Sequence, residues 1–248
     1  MKLSELLFAT EQIAKDKGLS RPYIVGGLAR DKLLNNVKTI EDVDLTTGDE
    51  SIHDLARHLA VKLGPYADYI EMPDGHSTIH IGNFKLDFSS NFKIPGVAKL
   101  LHSAGITNPS DMQKELYSRD FTCNTALMTL DLSKILDPTG LAVEDIQNKI
   151  IKTCLPANIT LGYDNKRIVR AIYLAAKLNF QVDDAIINWV LEHGELIKNS
   201  SKEYLSKKLN KALEYNQDIT INLIDEMKLW PHLPPLPELA PYMIKGRL

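Results

Sequence analysis

The sequence predicts an α+β chain. A mixed, mostly antiparallel sheet with flanking helices fills residues 1–142, and an all-helical domain fills 143–248. Three observations carry this. Tyr23 to Thr47 reads as strand, glycine turn, helix, strand. Short apolar runs separated by turn residues follow between 68 and 89. From Glu144 onward, apolar residues recur at helical spacing.

The elements follow in order. Leu3, Leu6, Leu7, Ile13 and Ala14 predict an amphipathic helix from about Leu3 to Lys17, stopped by Gly18. Tyr23-Ile24-Val25 is the first strand, Gly26-Gly27 the turn, and Leu28 to Asn35 the next helix. An apolar run carrying Asp42 and Asp44 is the second strand, and the unit reads βαβ-like. Ile52, Leu55, Leu59 and Leu63 share one face of a helix that Gly64 ends. Asp68–Met72, Thr78–Ile81 and Lys85–Ser89 are strands, separated by Pro73-Asp74-Gly75 and Gly82-Asn83. Asn91 to Pro109 predicts a mobile loop with a short helix inside. Leu127 to Leu136 predicts a last hairpin, followed by the turn Asp137-Pro138-Thr139-Gly140. Helices then span Asn165–Asn179, Asp183–Glu192, Ser201–Tyr215 and Asp218–Leu229, with Ser200 and Glu203 as a capping box for the third. The tail from Pro231 to Pro241 is proline-rich and extended.

Composition bounds the class. The 248 residues are 44% hydrophobic and 25% charged, as in ordinary globular proteins. No apolar run approaches the ~20 residues of a membrane helix, and the N-terminus lacks a signal peptide's apolar core. The expectation is a cytoplasmic protein with no membrane partner. Cys123 and Cys154 form no CxxC pattern and read as buried thiols. Residues 1–148 carry a net charge of −6 and residues 149–248 a net of +3. An acidic first part suits a metal site and a basic second part a phosphate backbone, although chance asymmetry on solvated surfaces explains the charges equally.

The chemistry starts at the glycines. Gly26 and Gly27 let backbone N–H groups approach a ligand, and the following helix points its positive end there. Arg30 could clamp a phosphate and Asp31 could pair with it, although a tight turn alone explains the same pattern. Asp42 and Asp44, at i and i+2 of a strand, share one face with Cα atoms roughly 7 Å apart. Two such carboxylates suit Mg²⁺, which takes one or two carboxylates plus substrate phosphates, although a D-x-D pair alone is common on protein surfaces. Asp87 lies inside the apolar run Phe84–Phe88 and needs a partner there. If its strand lies beside that of Asp42 and Asp44, three acids converge, as two-metal phosphoryl transfer requires. His53-Asp54 resembles a phosphohydrolase dyad without the remaining ligands. His76 and His80 read as ordinary sheet residues.

GGLARD (26–31) followed by DVDLTT (42–47) resembles the GGxxRD and DxD pair of polymerase-β-type nucleotidyltransferases. The resemblance is to the class II, bacterial-type CCA-adding tRNA nucleotidyltransferases and their poly(A) polymerase relatives. KLDFSS (85–90), RDFTCNTAL (119–127) with ILDPTG, and YDNKRIVRAIYLAAKLNF (163–180) agree in order and spacing.

The resemblance implies a nucleotidyltransferase head over 1–142 and a helical, nucleotide-selecting and RNA-binding neck over 143–248. It implies that Gly26, Gly27 and Arg30 hold the triphosphate. Asp42 and Asp44 would bind metal, two Mg²⁺ in all, and Asp87 would help activate a primer 3′-hydroxyl. Arg119 and Asp120 would contact the nucleotide's sugar and phosphates. Asp164 and Arg167 would read the base edge, with Arg170 one turn further on the same helix; a surface ion pair is the plain alternative for Asp164 and Arg167. The implied activity adds CMP and/or AMP from CTP and/or ATP to an RNA 3′ end, tRNA first. The alternatives are a poly(A)-type or A-only enzyme, or a non-catalytic RNA- or nucleotide-binding relative. Tyr163, Ser118 and Tyr173 stand where the family pattern has Glu, Arg and Arg.

Overall fold

A computed structural model describes residues 2–37, 39–73, 75–89, 93–235, 237 and 239. Asp74 of the expected 73–75 turn, Asn91 and Phe92 of the expected loop, and residues 236, 238, 240 and 241 of the proline-rich tail lie outside these. The chain divides into two compact units, Met1–Ile146 and Gln147–Leu248.

In the first unit the elements run α1 (Leu3–Asp16), β1 (Tyr23–Val25), α2 (Gly27–Leu33), β2 (Asp42–Thr46), α3 (Ser51–Leu63), β3 (Asp68–Glu71), β4 (Ser77–Ile81) and β5 (Phe84–Phe88). There follow α4 (Val97–Ser103), α5 (Asp111–Tyr117), β6 (Leu127–Met128), β7 (Ile135–Leu136) and α6 (Ala142–Gln147). Among the described residues the strands form one seven-stranded sheet in the order β3-β4-β5-β2-β1-β6-β7. Only β2 and β5 pair in parallel; the other neighbours are antiparallel.

The β1–α2–β2 unit is therefore not a βαβ crossover: β1 and β2 are antiparallel, with Val25 opposite Asp44. A helix of seven residues rises only about 10 Å. The connection after it returns to the edge that β1 has just left. The parallel partner of β2 is β5, delivered by the β3–β4–β5 meander.

Strand alternation sets the two faces of the sheet. Val43 and Leu45 on β2, and Leu86 and Phe88 on β5, are buried. The residues between them on each strand point the other way. Leu6 and Leu7 of α1 and Ile52, Leu55 and Leu59 of α3 are buried too, and α1 packs on α3. Gly18 and Gly64 follow their helices with positive φ, as the sequence predicts.

The second unit holds β8 (Ile150–Ile151), α7 (Ala157–Tyr163), α8 (Lys166–Leu178), β9 (Gln181–Val182), α9 (Asp184–His193), α10 (Lys202–Tyr215) and α11 (Gln217–Glu226). Among its described residues the one strand pairing is the two-residue parallel pair β8–β9, and the other elements are helices. The apolar stripe of α8 is buried at Ile168, Ala171, Ile172 and Ala175. The expected capping box is displaced by one residue. Ser201 caps α10 by accepting the N–H of Tyr204, so the third position holds Tyr204 and no reciprocal Glu.

Candidate active site

Two of the three expected acids, Asp44 and Asp87, are brought together because β2 and β5 are in register. Asp42 lies opposite Lys85 and Asp44 opposite Asp87, on the face that the alternation turns away from the core. Adjacent strands are about 4.8 Å apart, so the Asp44 and Asp87 carboxylates share one small volume. Burial, then the negative charge of Asp87 and Asp42, hold the Asp44 carboxyl above its ordinary pKa; Arg119 and Lys85 pull against this. Asp87 accepts a hydrogen bond of 2.6 Å from the Thr78 hydroxyl and pairs with Lys85. Burial opposes the Lys85 charge, but Asp87, then Asp42 and Asp44, outweigh it and raise its pKa. Asp42 is exposed.

The glycine turn abuts this group. Gly26 has φ +78°, and a β-carbon there would stand 3.2 Å from Oδ2 of Asp44 and 3.8 Å from Nη1 of Arg119. Arg119 follows α5, and its Nε and Nη2 donate to one oxygen of Glu115 at 2.9 and 2.6 Å. Burial works against the Arg119 charge, yet Glu115, Asp44 and Asp120 together raise its pKa. Asp120 is buried and accepts from the Phe121 N–H at 2.8 Å and the Asn124 amide at 3.1 Å. Asn124 in turn accepts from Nη1 of Arg30 at 2.6 Å. Arg30 itself is 2% exposed and held by Asp31 at 2.8 Å. Its guanidinium is thus committed to joining the glycine turn to the 119–124 segment.

A cavity of about 620 Å³ opens here, lined by Asp44, Asp87, Thr78, Ser89, His76 and Met72 among others. His76, read from the sequence as an ordinary sheet residue, belongs to this wall. His53 and Asp54 do not: they pair with Glu50 at 3.2 Å and Arg57 at 3.4 Å. Among the described residues no group of three or more His, Cys, Asp or Glu is placed to hold a metal ion alone. The exposed Asp42 and the charge-crowded Asp44 nevertheless suit a hard divalent cation that completes its shell with substrate oxygens.

In the second unit Asp164 accepts the backbone N–H of Lys166 at 3.0 Å, at the start of α8. Arg167 is 7% exposed. Its Nη1 donates to the Thr160 carbonyl at 3.4 Å, and its Cζ lies 5.8 Å from the centre of the Tyr163 ring. Arg170 is half-buried one turn along. Ser118 is buried, donating to the Lys114 carbonyl at 2.7 Å and accepting the Ile94 N–H at 2.9 Å. A short side chain is what that enclosed position holds.

Lys85, Thr78, Glu115 and Asn124 were not identified as site residues from the sequence. Two of them left a signal: Lys85 stands two residues before Asp87 on one strand face, and Glu115 four residues before Arg119 on a helix.

The chain is 28% identical over 214 residues to the A-adding tRNA nucleotidyltransferase of Aquifex aeolicus, covering 81% of this chain and 24% of that protein. It is 26% identical over 219 residues to a CCA-adding enzyme of a Geobacillus species, covering 86% of this chain and 51% of the other. A solved structure, a tRNA nucleotidyltransferase complexed with a primer tRNA and an incoming ATP analog, superposes with TM-score 0.64 at 28% identity. That match covers 90% of this chain and 60% of that one. The chain thus spans about half or less of the length of these two curated relatives. No helix among the described residues is long and apolar enough to cross a membrane. A family model for the Poly A polymerase head domain matches residues 22–152, just over half of the 248 residues, and the chain belongs to that family.

Proposed function

We propose that this chain is a Mg²⁺-dependent RNA nucleotidyltransferase that adds CMP and/or AMP to an RNA 3′ end, with tRNA the acceptor. The observation that carries this is the in-register placement of Asp44 and Asp87 beside Gly26 and Arg119. It sets paired carboxylates next to a backbone cradle and a guanidinium. The relatives named for A and CCA addition to tRNA, and the neighbour solved with primer tRNA and an ATP analog, support the choice of acceptor and nucleotide.

In this reading the backbone at Gly26 and Gly27 and the Arg119 guanidinium hold the triphosphate. Arg30 acts through Asn124 and Asp120, fixing the segment that presents Arg119 and Asp120 to the nucleotide. Asp42 and Asp44 would hold Mg²⁺. When bound, the metal supplies charge that neutralises the phosphates and acidifies the attacking hydroxyl. Asp87, set by Thr78 and Lys85, assists the loss of the proton from the 3′-hydroxyl. The hydroxyl oxygen bonds to the α-phosphorus and pyrophosphate leaves. Asp164 and Arg167, an acceptor and a donor, read the base edge, with Arg170 beside them on α8. Residues 1–142 form the catalytic head and 143–248 the helical neck. The chain works in the cytoplasm.

The test is incubation with Mg²⁺, a tRNA lacking CCA, and labelled CTP or ATP separately. Incorporation that Asp42→Ala abolishes supports the reading. Unchanged incorporation by that variant, or none by the wild type, overturns it. An A-only enzyme is the second reading, favoured by the similarity to the Aquifex A-adding protein; incorporation of CTP eliminates it.

A further inference from the structure

We propose that Lys85 is a tethered counter-ion of the acidic group, competing with a divalent cation for the same carboxylates and so setting how tightly the site takes metal. The identity of that cation as Mg²⁺ rests on the function proposed above; the placement of the charges does not. On β5, Lys85 stands two residues before Asp87, so both side chains leave the same face, on either side of the buried Leu86. Across the parallel pairing Lys85 lies opposite Asp42, and Asp87 opposite Asp44. These four positions set three carboxylates around one ammonium. On the other flank of Lys85, β4 places His80, which offers no carboxylate.

A lysine on a sheet face ordinarily carries its charge out to water. Lys85 instead turns along its own strand and pairs with Oδ2 of Asp87, while Oδ1 accepts the Thr78 hydroxyl at 2.6 Å. Both oxygens of Asp87 are thereby engaged. Burial works against the ammonium, but its bond to Asp87 and the charges of Asp87, Asp42 and Asp44 outweigh it. Arg119, the other cation acting on Asp44, is held differently. Its Nε and Nη2 donate to Glu115, a carboxylate outside this group, whereas Lys85 is balanced by the site's own acids.

The consequence follows from charge. The oxygens that attract an ammonium are those that a hard divalent cation takes, and cations sharing the same carboxylates repel one another. The Lys85 side chain is 39% exposed, so it has water to turn into. Lys85 therefore swings outward as the cation enters, and Oδ2 of Asp87 is released. That oxygen is then open to accept the proton of a 3′-hydroxyl, which ties the readiness of Asp87 to the arrival of metal.

Titration of the whole chain with Mn²⁺, without nucleotide and read by electron paramagnetic resonance of the free ion, tests this. Lys85→Gln should bind Mn²⁺ about tenfold more tightly, the effect of deleting a unit charge about 6 Å from a divalent ion in a water-like medium. Lys85→Arg keeps the charge and should bind as the wild type does. In chelator Lys85→Gln should melt below the wild type, because the acids have lost their counter-ion, and saturating Mn²⁺ should raise its melting temperature by more. Circular dichroism confirms that each variant is folded, and Lys85→Met, which keeps the apolar stem, replaces Lys85→Gln if that variant is not. Unchanged or weaker Mn²⁺ binding by the uncharged variant, an equal gain by Lys85→Arg, or an equal thermal rise in all the proteins overturns the proposal. Transfer assays separate it from the function proposed above. Tighter Mn²⁺ binding by the uncharged variant of a chain whose wild type transfers no nucleotide upholds the counter-ion and sinks the enzymatic reading. Unchanged binding in a chain that does transfer nucleotide sinks the counter-ion and leaves the enzymatic reading standing.

Discussion

Nη1 of Arg30 donates a 2.6 Å hydrogen bond to the side-chain carbonyl of Asn124, ninety-four positions later in the chain. Both residues are buried, so neither finds water if the other is removed. Asn124→Ala should cost about 1–3 kcal/mol in stability, the range for a buried partner left unsatisfied. Because the Asn124 amide also holds Asp120, the same change should lower nucleotide transfer. Denaturant titration and an incorporation assay check the two effects separately.

Asp44→Asn should abolish transfer and raise the melting temperature of the metal-free protein at neutral pH. Burial and the charges of Asp87 and Asp42 hold the folded-state pKa of Asp44 above that of an ordinary aspartate. A raised pKa means that the native state binds the proton more tightly than the unfolded chain. The associated stability is present below about pH 4 and is lost as pH rises through the folded pKa. The difference between variant and wild type should therefore grow with pH and then level off. A melting series in chelator measures it.

Gly26→Ala should reduce transfer about a hundredfold, the scale of effect when reacting groups are displaced by an ångström. Its φ of +78° strains any other residue, and the added β-carbon would stand 3.2 Å from Asp44. A parallel stability measurement should show a loss of about 1–3 kcal/mol from the backbone alone.

Cys123 should resist iodoacetamide at pH 8.5 in the native protein and react fully after denaturation. Burial pushes its thiol up to about 12, against the nearby Arg30 charge. Between about pH 9 and 12 only the unfolded chain ionises there, so native stability should fall across that window. Cys123→Ala should remove that part of the slope. Mass spectrometry and alkaline melting curves are the readouts.

Tyr163→Ala should shift the preference between CTP and ATP about two- to fivefold, the scale of one exposed cation–π contact, while Tyr163→Phe should leave it intact. The ring lies 5.8 Å from the Arg167 guanidinium carbon, close enough to help orient that group. Competition between the two nucleotides in a single assay gives the ratio.

The acids and glycines were legible because each broke a pattern. Asp87 stood out inside an apolar run, and Gly18 and Gly64 stood where helical periodicity ended. α8 was legible from its apolar stripe alone. The pairing of β1 with β2 was not, because a strand's own sequence carries no direction for its neighbour. The two-residue strands β8 and β9 are too short for any period to register. The partners that set the site, Asn124 for Arg30 and Thr78 for Asp87, lie far away in sequence or across a hairpin, and only folding brings them together.

The β2–β5 register has one more consequence. Slipping β5 by a single residue would place Leu86 opposite Asp44 and turn Asp87 toward the core. Leu86 and Phe88, now fully enclosed, would be turned out to water in the same step. A chain with misaligned acids is therefore also one that has lost part of its interior. The burial that builds the interior therefore also selects the register that aligns the acids.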